Sequence, residues 1–575
     1  MGNRSPSQLR HRRIFLISVQ TSVIVLLCLL LASPVYSATG TTYTAEVDTL
    51  VDSNAHEYQQ CTLFNDEDCS LRGAIIAANA ASKANTYHLD LPAGKIVFNI
   101  PGQDEEDAYT GDLDIKNNIE IHGNAGGTII DANGLDRVID HVGSGVTLKI
   151  DHVTITGGAL SSGGGAGIRS TSTGDLTILS STIIENDITG TTFATDKGGG
   201  LYDTGGTLQL DATWISSNTA CDAGGVYLLG STAANFSMDS VTIFDNEALC
   251  EGSTGGLSTS GSMTLEMVDT SIGTNTGLVT GGMYISSSVT SSMDGGSVTN
   301  NTATGDESIS GAGGMMLYGS GTIRNILISS NRNIARPVGG VNFGSPSNYL
   351  VEDVNILANE ALTSNAGGAY VFGTVTFKRV TFAGNLSNNG AGVFLFNAVA
   401  NFENCTIANN TAYQDGGALF AFGDHVITLS HTTIHANNHA GGAAVYVADA
   451  PITFKNSIFS DVSVGFTCGL HSGATVISEG YNIATDESCG IHAVGDLSST
   501  DPLLSNLNFA GPATMVRVVP LLAGSPAIDS AQPDDPLLYD QRGMPRIDGD
   551  GDGYVDSDRG SFEYYYLFYL PLISK

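Results

Sequence analysis

The chain has 575 residues, of which 23 are Lys or Arg and 58 are Asp or Glu, so its formal net charge is −35. This acidic surface repels phosphate backbones and disfavours nucleic-acid binding. The 71 glycines and the charged fraction of only 14% argue against long charged helices and coiled coils, while 41% apolar residues suffice for a core.

The N-terminus has the pattern of an export signal. Basic residues over 10–13 precede an apolar run over 14–32, and small residues follow near Ser37. We expect a signal peptide over residues 1–37, which predicts a secreted or cell-surface, extracytoplasmic protein. The alternative is an uncleaved anchor, because an apolar run of about 19 residues nearly spans a bilayer, and membrane contact is then limited to this segment.

A short capping helix is predicted after the signal. Ser70 is a favoured N-cap residue, and the run 71–80, rich in Ala and Ile, is typical of a helix. We place this helix in an N-terminal cap over residues 38–93, because an open solenoid exposes strand edges that need a cover.

Two signals recur through the middle of the chain. The first is a pair of glycines followed by an apolar residue, in copies that begin at Gly164, Gly199, Gly224, Gly255, Gly281, Gly313, Gly339, Gly367, Gly416 and Gly441. The second is an asparagine three residues after a β-branched or aromatic residue, at Asn186, Asn218, Asn246, Asn275, Asn301, Asn331, Asn359, Asn385, Asn410 and Asn437. Nine intervals from the first to the last of these asparagines give a period of about 28 residues.

This period, filled with short runs, predicts a parallel β-helix. The unit 416–440 holds three short runs that favour strands, separated by Gly, Asp or Asn. Each strand pairs with its equivalent in the next coil, at a spacing of about 4.8 Å. We expect an all-β rod over residues 94–500, with glycine pairs giving backbone freedom at corners. The asparagines, which tolerate left-handed backbone, are expected to stack as an amide ladder.

Insertions concentrate at one corner of the predicted coil. The second glycine follows 7 residues after Asn218 and 5 after Asn437, but 14 after Asn186 and 13 after Asn301. Stacking lines these insertions along one edge of the rod, where repeat proteins commonly bind.

Seven cysteines remain once the signal is removed, an odd number for an exported chain. Two of them occupy nearly equivalent points of successive repeats, so stacked coils bring them close to bridging distance. Cys405 is left over at an inward position, where we expect a buried free thiol. The predicted disulfides are Cys61–Cys69, Cys221–Cys250 and Cys468–Cys489.

Three stretches resemble exported protein families. The CSLRGAI run over 69–75, with Ala78-Asn79, resembles the CSLREA domain of bacterial exported proteins, although Gly73 replaces the glutamate of that name. The GSPAID run over 524–529 and DQRG over 540–543 resemble the closing coil of choice-of-anchor β-helix proteins. The repeats are similar to those of chlamydial polymorphic outer-membrane proteins.

These resemblances imply an exported, single-stranded, right-handed parallel β-helix of the pectate-lyase-like type. They also imply that residues 501–575 form a closing coil with an acidic and aromatic tail. They imply no particular reaction, because such families are defined by architecture and location.

Polysaccharide cleavage is the enzyme hypothesis that this fold raises. Hydrolysis needs two carboxylates facing one groove, about 5 to 9 Å apart, and a lyase needs a base beside the substrate carboxylate. The arginines between residues 150 and 500 stand in no lyase-like motif. Several carboxylates lie near corners, where an aspartate beside glycine is ordinary turn chemistry: Asp203, Asp222, Asp294 and Asp415.

Trp214 is the candidate for glycan stacking, because strand alternation points its indole outward. The alternative role is packing against an insertion loop. His431, His435 and His439 have a spacing that suits a metal site on a helix, but their segment is strand and turn. We therefore expect these histidines to form a solvated surface cluster.

An acidic loop near the C-terminus is the candidate calcium site. Its carboxylates and a glycine match most positions of a calcium loop, but Arg559 stands where a bidentate glutamate is expected. A flexible acidic loop without metal is the alternative. The candidate ligands are Asp548, Asp550, Asp552, Asp556 and Asp558.

Together these patterns predict an exported cell-surface β-helix that is an adhesin-like or structural binding module. The expected partner is a cell-surface glycan or an envelope component, the expected state is a monomer, and calcium is the one cofactor suggested. The alternative is a polysaccharide lyase or glycoside hydrolase on the same scaffold. Two convergent carboxylates in a groove, or a carboxylate cluster beside an arginine, would favour the enzyme.

Overall fold

The computed structural model of the chain describes residues 40–61, 67–103, 105–305, 311–440, 442–460, 465–508, 516–533, 535–547 and 556–565. The predicted signal peptide lies outside these residues. The described chain is a right-handed parallel β-helix with two short helical segments, the 3-10 turn His56–Tyr58 and the α-helix Leu71–Asn79. No helix in this part is long and apolar enough to cross a membrane.

The coils build four stacks of strands, which we call the first to fourth sheets in the order in which the chain meets them after a glycine corner. The first sheet contains Leu113–Ile115, Ile139–His141, Ile168–Ser170, Leu201–Asp203, Met283–Ile285, Met315–Leu317, Val341–Phe343, Ala369–Val371, Val393–Phe396, Leu419–Phe422, Ala443–Ala448 and Phe466–His471. The second contains Thr42–Glu46, Thr86–Asp90, Asn118–His122, Leu148–Asp151, Leu176–Leu179, Thr207–Asp211, Val289–Asp294, Ser320–Arg324, Asn348–Glu352, Thr374–Lys378, Val399–Glu403, Val426–Ser430, Ile452–Lys455 and Val476–Ser478. Two long strands run through both sheets and join them: Val226–Asp239 and Leu257–Val268.

The remaining strands form two separate stacks. The third sheet contains Gly94–Val97, Thr128–Asp131, Val153–Thr156, Thr182–Ile184, Trp214–Ser216, Thr242–Phe244, Ser271–Gly273, Ser297–Thr299, Leu327–Ser329, Asn355–Leu357, Thr381–Ala383, Thr406–Ala408, Thr433–His435, Ile458–Ser460 and Ile483–Ala484. The fourth contains Ala159–Leu160, Asp187–Ile188, Thr219–Ala220, Glu247–Ala248, Thr276–Gly277, Thr302–Ala303, Arg332–Asn333, Glu360–Ala361, Leu386–Ser387, Thr411–Ala412 and Asn438–His439. The sequence predicts only three strands in each coil, because two-residue strands show no alternation.

The interior of the coils is filled by the apolar residue of the asparagine motif. Ile183, Ile215 and Ile243 pair in register across successive coils of the third sheet and are fully buried. Further along the rod, the buried rings of Phe377 and Phe402 stack with centroids 4.9 Å apart. Each large side chain buried in this way stabilises the fold by roughly 1.5–3 kcal/mol.

The asparagine ladder is confirmed. The side-chain oxygen of Asn331 accepts hydrogen bonds from both the backbone N–H and the side-chain amide of Asn301, each at 3.0 Å. The amide of Asn331 in turn donates to Asn359 at 3.0 Å and to the carbonyl of Val298 at 2.8 Å. The same pattern joins the ladder asparagines of neighbouring coils from Asn186 to Asn437, so their buried amides are satisfied by one another.

Two details of the corner differ from the sequence-based expectation. The left-handed backbone belongs to the residue before the ladder asparagine, such as Ser217, and not to the asparagine. Most of the paired glycines have ordinary φ values. Glycine is therefore required at these positions by close packing between coils, and not by backbone freedom at the corner. A Cβ on Gly225 would lie 2.6 Å from the carbonyl oxygen of Gly256 and 3.0 Å from the Asn246 amide, so a side chain would push the coils apart.

The predicted capping helix is present as Leu71–Asn79, with the Ser70 hydroxyl accepting from the Gly73 N–H at 3.0 Å. Glycine is required at position 73 for a steric reason, since a Cβ there would lie 2.0 Å from the carbonyl oxygen of Tyr58. Buried Arg72 pairs with Asp52 at 2.6 Å. The segment assigned to the cap also holds the strand Thr86–Asp90, which pairs with the second sheet.

The described part of the C-terminal segment lies along the third sheet, and the closing coil over residues 501–575 stays a prediction. The carboxamide of Gln541 donates to the hydroxyl of Thr381 at 2.8 Å and accepts from the hydroxyl of Thr406 at 2.5 Å. Arg546 donates to the side-chain oxygen of Asn404 at 2.8 Å. The described residues of 516–533, 535–547 and 556–563 thereby cover the outer face of several coils.

The expected solvated surface cluster of His431, His435 and His439 is wrong, and the C-terminal segment contributes to the burial of His431. His431 and His439 are buried and His435 is half-buried. Burial, with Arg546 and Lys455 nearby, holds the pKa of His431 well below its usual value. Its ring contacts the side-chain amide of Asn456 at 3.2 Å.

We predict that Asn331→Ala destabilises the rod by about 2–6 kcal/mol, because two buried N–H donors of Asn301 lose their acceptor at about 1–3 kcal/mol each. Urea unfolding followed by circular dichroism measures the change in the free energy of unfolding. Asn401→Ala is the matched control, because Asn401 is an exposed strand residue, and we expect it to change stability by less than about 0.5 kcal/mol. Equal effects of the two substitutions would contradict the structural role of the ladder.

Candidate functional site

A cleft of about 530 Å³ opens on the outer face of the first sheet. It lies beside the two strands, Val226–Asp239 and Leu257–Val268, that run without a corner from the first sheet into the second. The absence of a corner broadens this face of the rod, and the register between the two strands shifts between Gly230 and Ala234. The cleft therefore occupies an irregularity in an otherwise repetitive surface.

The insertion after Asn186 forms one wall of the cleft, at the corner where the sequence predicts a binding edge. It contributes Phe193, whose ring is 40% exposed, and Lys197. The disulfide Cys221–Cys250 holds the adjoining segments, since Asp222 and Gly252 lie within two residues of its cysteines and both line the cleft.

The floor of the cleft is a gap in a column of outward side chains. Each of eleven successive coils of the first sheet places one residue at the same register position, and from the N-terminal side these are Arg169, Tyr202, Tyr227, Ser258, Tyr284, Met316, Asn342, Tyr370, Phe394, Phe420 and Tyr446. Where rings are adjacent they stack, with centroids 5.5 Å apart for Tyr202 and Tyr227. Ser258 has no ring, so the column is open between Tyr227 and Tyr284.

The width of this opening follows from strand spacing. Tyr227 and Tyr284 are two strands apart, which places their backbones about 9.6 Å from each other. A planar or chair-shaped six-membered ring needs contact distances of about 3.5–4.0 Å on each side. The opening therefore admits one such ring between the two tyrosines.

A lysine and an aspartate lie at the edge of the opening. The ammonium of Lys197 donates to the hydroxyl of Tyr227 at 3.1 Å, lies 4.3 Å from the centroid of the same ring and 3.6 Å from the Asp222 carboxylate. Burial raises the pKa of Asp222, although Lys197 and backbone N–H groups act in the opposite direction. Thr254 donates its N–H to this carboxylate at 3.0 Å, which fixes its orientation.

Hydroxyl groups and further aromatic rings complete the surface. Thr259 lines the cleft, its hydroxyl donating to the Tyr284 carbonyl at 3.2 Å and accepting from the Ser286 N–H at 3.0 Å. A second depression of about 220 Å³ adjoins the cleft and shares Tyr318, with Tyr370 as another of its lining rings. The combined surface is aromatic with a few polar groups, as is typical of small-molecule and sugar sites.

A carboxylate cluster beside arginines is present at the N-terminal end of the same column, but it is enclosed. Asp112, Asp114 and Asp140 are buried together, and Arg137 pairs with Asp112 at 2.9 Å. Burial raises the pKa of Asp112 to about 8 and that of Asp114 to about 7. The N–H of Ala108 donates to Asp114 at 2.9 Å, so the preceding loop covers the cluster and separates it from the cleft.

A second line of polar groups runs inside the first sheet. His141, Ser170 and Asp203 pair in register, and all three are fully buried. Burial lowers the pKa of His141 to about 4 and raises that of Asp203 to about 7. Asp203, which the sequence shows only as a corner residue, thus faces the core and has no access to a substrate.

The other predicted site residues are dispersed. Trp214 lies on the third sheet, its indole 47% exposed and tilted against Phe244 at 6.2 Å, and glycan stacking there stays a prediction. The three predicted disulfides are present, and Cys405 is a buried free cysteine. Burial, the largest effect, raises the pKa of its thiol to about 12.

The candidate calcium loop is only partly described. Asp548, Asp550 and Asp552 lie outside the described residues, and Asp556 is half-buried. Asp558 is buried, and its carboxylate accepts from the N–H groups of Asp529 at 2.7 Å and Tyr564 at 2.5 Å. Both oxygens of Asp558 are thus held by the chain's own backbone, and calcium binding stays a prediction.

Sequence reasoning missed the tyrosines of the cleft. The signal was the residue directly after the apolar residue of the glycine motif, as in Tyr202, Tyr227 and Tyr284. Four of the ten copies of the motif carry tyrosine at this position, and alternation points the position outward. The absence of a ring at Ser258 is recognised only by comparison with Tyr227 and Tyr284 at the same position of the neighbouring coils.

A family model described as right handed beta helix region matches residues 339–506. The crystal structure of a pectate lyase, Pel9A, is similar with 13% sequence identity over 92% of this chain and 97% of that chain, at a TM-score of 0.23. No curated protein matches the chain.

We predict that Asp203 makes stability fall as pH rises. Its folded pKa of about 7 exceeds the ordinary value of 3.8, so the folded state binds the proton more tightly and loses this advantage between about pH 4 and 7. Asp203→Asn keeps an acceptor for Gly205 and removes the charge. The variant should therefore be more stable than the wild type at pH 8, by a few kcal/mol at one pKa unit per about 1.4 kcal/mol, and similar to it at pH 4.5.

Urea unfolding at the two pH values measures this difference. Asp187→Asn, at an exposed position, is the control and should leave the pH dependence as in the wild type. A difference between Asp203→Asn and the wild type that does not change with pH would rule out the prediction.

Proposed function

We propose that the protein is an exported binding module that holds a glycan in the cleft of the first sheet, with one sugar ring inserted between Tyr227 and Tyr284. The observation that carries the proposal is the ring-free position Ser258 between Tyr227 and Tyr284, in a column whose other members are mostly aromatic. The C–H faces of a pyranose pack on aromatic rings, while its hydroxyls point sideways towards polar groups. Here those groups are Lys197 and Asp222.

The electrostatics of the cleft favour a neutral sugar. Among the described lining residues, Lys197 is the one basic side chain and Asp222 the one carboxylate, and they face each other. An anionic sugar would meet a protein with a net charge of −35 and a single, already paired, ammonium group. The disulfides of the chain agree with an extracytoplasmic location, which the N-terminal sequence also predicts.

Binding is favoured over cleavage by the arrangement of the carboxylates. Hydrolysis uses two carboxyl groups about 5 to 9 Å apart across one groove, and the described lining of this cleft offers only Asp222. The enclosed cluster of Asp112, Asp114 and Asp140 does not face it. A polysaccharide lyase or hydrolase on this scaffold remains the alternative, and Lys197 beside Asp222 is the pair on which it would depend.

We expect Ser258→Phe to complete the column and close the opening, which should weaken glycan binding more than 10-fold. Tyr284→Ala removes one face of the opening and should weaken binding about 10-fold, since loss of a ring contact costs about 1 kcal/mol or more. Tyr446→Ala is the matched control, because Tyr446 belongs to the same column but lies outside the cleft. A glycan panel identifies the ligand, and calorimetry with the best neutral oligosaccharide measures the affinities.

The same incubation distinguishes the alternative function. Chromatography of the oligosaccharide, together with absorbance of unsaturated products, detects cleavage with and without calcium. Release of shorter oligosaccharides by the wild type, abolished in Lys197→Met, would replace the binding proposal with the enzyme. Unchanged affinity in Ser258→Phe would place the ligand elsewhere and refute the cleft.

A further inference from the structure

A group of two histidines and a glutamate lies on the outer face of the second sheet, far along the chain from the cleft residues. His88 belongs to the strand Thr86–Asp90, while Glu120 and His122 belong to Asn118–His122. The two strands pair in parallel so that His88 is opposite Glu120, and alternation points all three side chains outward. They are reachable from solvent, because their side chains are 27%, 35% and 21% exposed.

The distances within this group suit a tetrahedral metal ion. The Nδ1 atom of His88 lies 3.1 Å from Oε2 of Glu120, and Nε2 of His122 lies 3.6 Å from the same oxygen. One ligand atom from each residue falls within 4.8 Å of the others. Ligands at about 2.0–2.1 Å from a tetrahedral zinc ion are about 3.4 Å apart.

The second nitrogen of each imidazole faces a carboxylate. Nε2 of His88 lies 3.2 Å from Asp90, and Nδ1 of His122 lies 3.6 Å from Asp151. A metal-bound histidine almost always directs its other nitrogen to a carboxylate, carbonyl or water, which fixes the tautomer and strengthens the ligand. The pairs His88–Asp90 and His122–Asp151 are not needed to neutralise Glu120, whereas they suit histidines that bind a metal ion.

One ring nitrogen in the group lacks a hydrogen-bond partner. Nε2 of His122 is shielded from solvent and makes no hydrogen bond, since Glu120 is at 3.6 Å. The rings of His88 and His122 stack at 4.1 Å, which brings two imidazoles to the same carboxylate. A buried nitrogen aimed at a carboxylate beyond hydrogen-bonding distance is satisfied when a cation lies between them.

We infer that His88, Glu120 and His122 bind a divalent transition-metal ion of the zinc class, with Asp90 and Asp151 orienting the two imidazoles. Two nitrogen ligands and one oxygen select zinc-like ions over calcium and magnesium, which prefer oxygen alone. The ion joins two neighbouring coils next to the N-terminal capping helix. Because the ion binds the folded state and not the unfolded chain, it also raises the unfolding temperature.

The test uses the exported chain without a histidine tag, stripped of metal by a chelator. Calorimetric titration with zinc should give one bound ion per chain, and His88→Ala or His122→Ala should weaken binding at least about 10-fold. Asp90→Asn should weaken it about 10-fold, as expected for a partner that orients a ligand. His56→Gln, at an exposed histidine outside the group, is the control and should leave zinc affinity unchanged.

Cobalt reports the geometry independently, because a tetrahedral site gives strong visible absorption that should vanish in the double variant H88A/H122A. Thermal unfolding without metal shows whether each variant keeps the fold, and Glu120→Gln serves where an alanine variant does not. Zinc should raise the unfolding temperature of the wild type and not that of the double variant. Absence of zinc binding by the wild type, or equal zinc affinity in wild type and the folded histidine or Glu120→Gln variants, would overturn the inference.

Discussion

The structure depends on in-register pairing between successive coils. Parallel hydrogen bonds fix each strand about 4.8 Å from its equivalent, so any position of the repeat becomes a column of neighbouring side chains. A column is stable only when its members tolerate each other at that spacing. Isoleucines do so by packing, asparagines by sharing amide hydrogen bonds, and tyrosines by stacking. Glycine satisfies the same condition where coils approach too closely for a side chain.

Function is proposed at positions where a column is interrupted. Ser258 breaks the outward aromatic column and leaves a ring-sized opening. His88 and Glu120 place unlike ligands opposite each other where the repeat is not yet regular. A regular lattice binds every ligand equally along its length, whereas an interruption defines a single location. The cleft therefore lies at one such interruption, although the sheet below it is repetitive.

Most of the fold could be predicted from the sequence because the same residue pattern recurs in many coils. Ile183 and Asn186 recur in copy after copy, so coil, ladder and disulfide register followed from spacing. The cleft was harder to predict, since a serine at position 258 indicates an opening only once its neighbours in space are known. His88 and Glu120 lie outside the recognisable repeats and carry no pattern. Burial of His431 depends on Asp535 and Arg546, which arrive from a distant segment.

That C-terminal segment changes how unfolding spreads along the rod. In a simple solenoid each coil contacts only its neighbours, so unfolding can begin at one end and spread coil by coil. Arg517, Gln541 and Ser561 of this segment instead contact Asn355, Thr381 and Thr433 of the third sheet, respectively. Loosening one of these coils therefore strains contacts that belong to others. We therefore expect the coils of the C-terminal half to unfold together under heat or tension. The coils of the half that contains the cleft should unfold one after another.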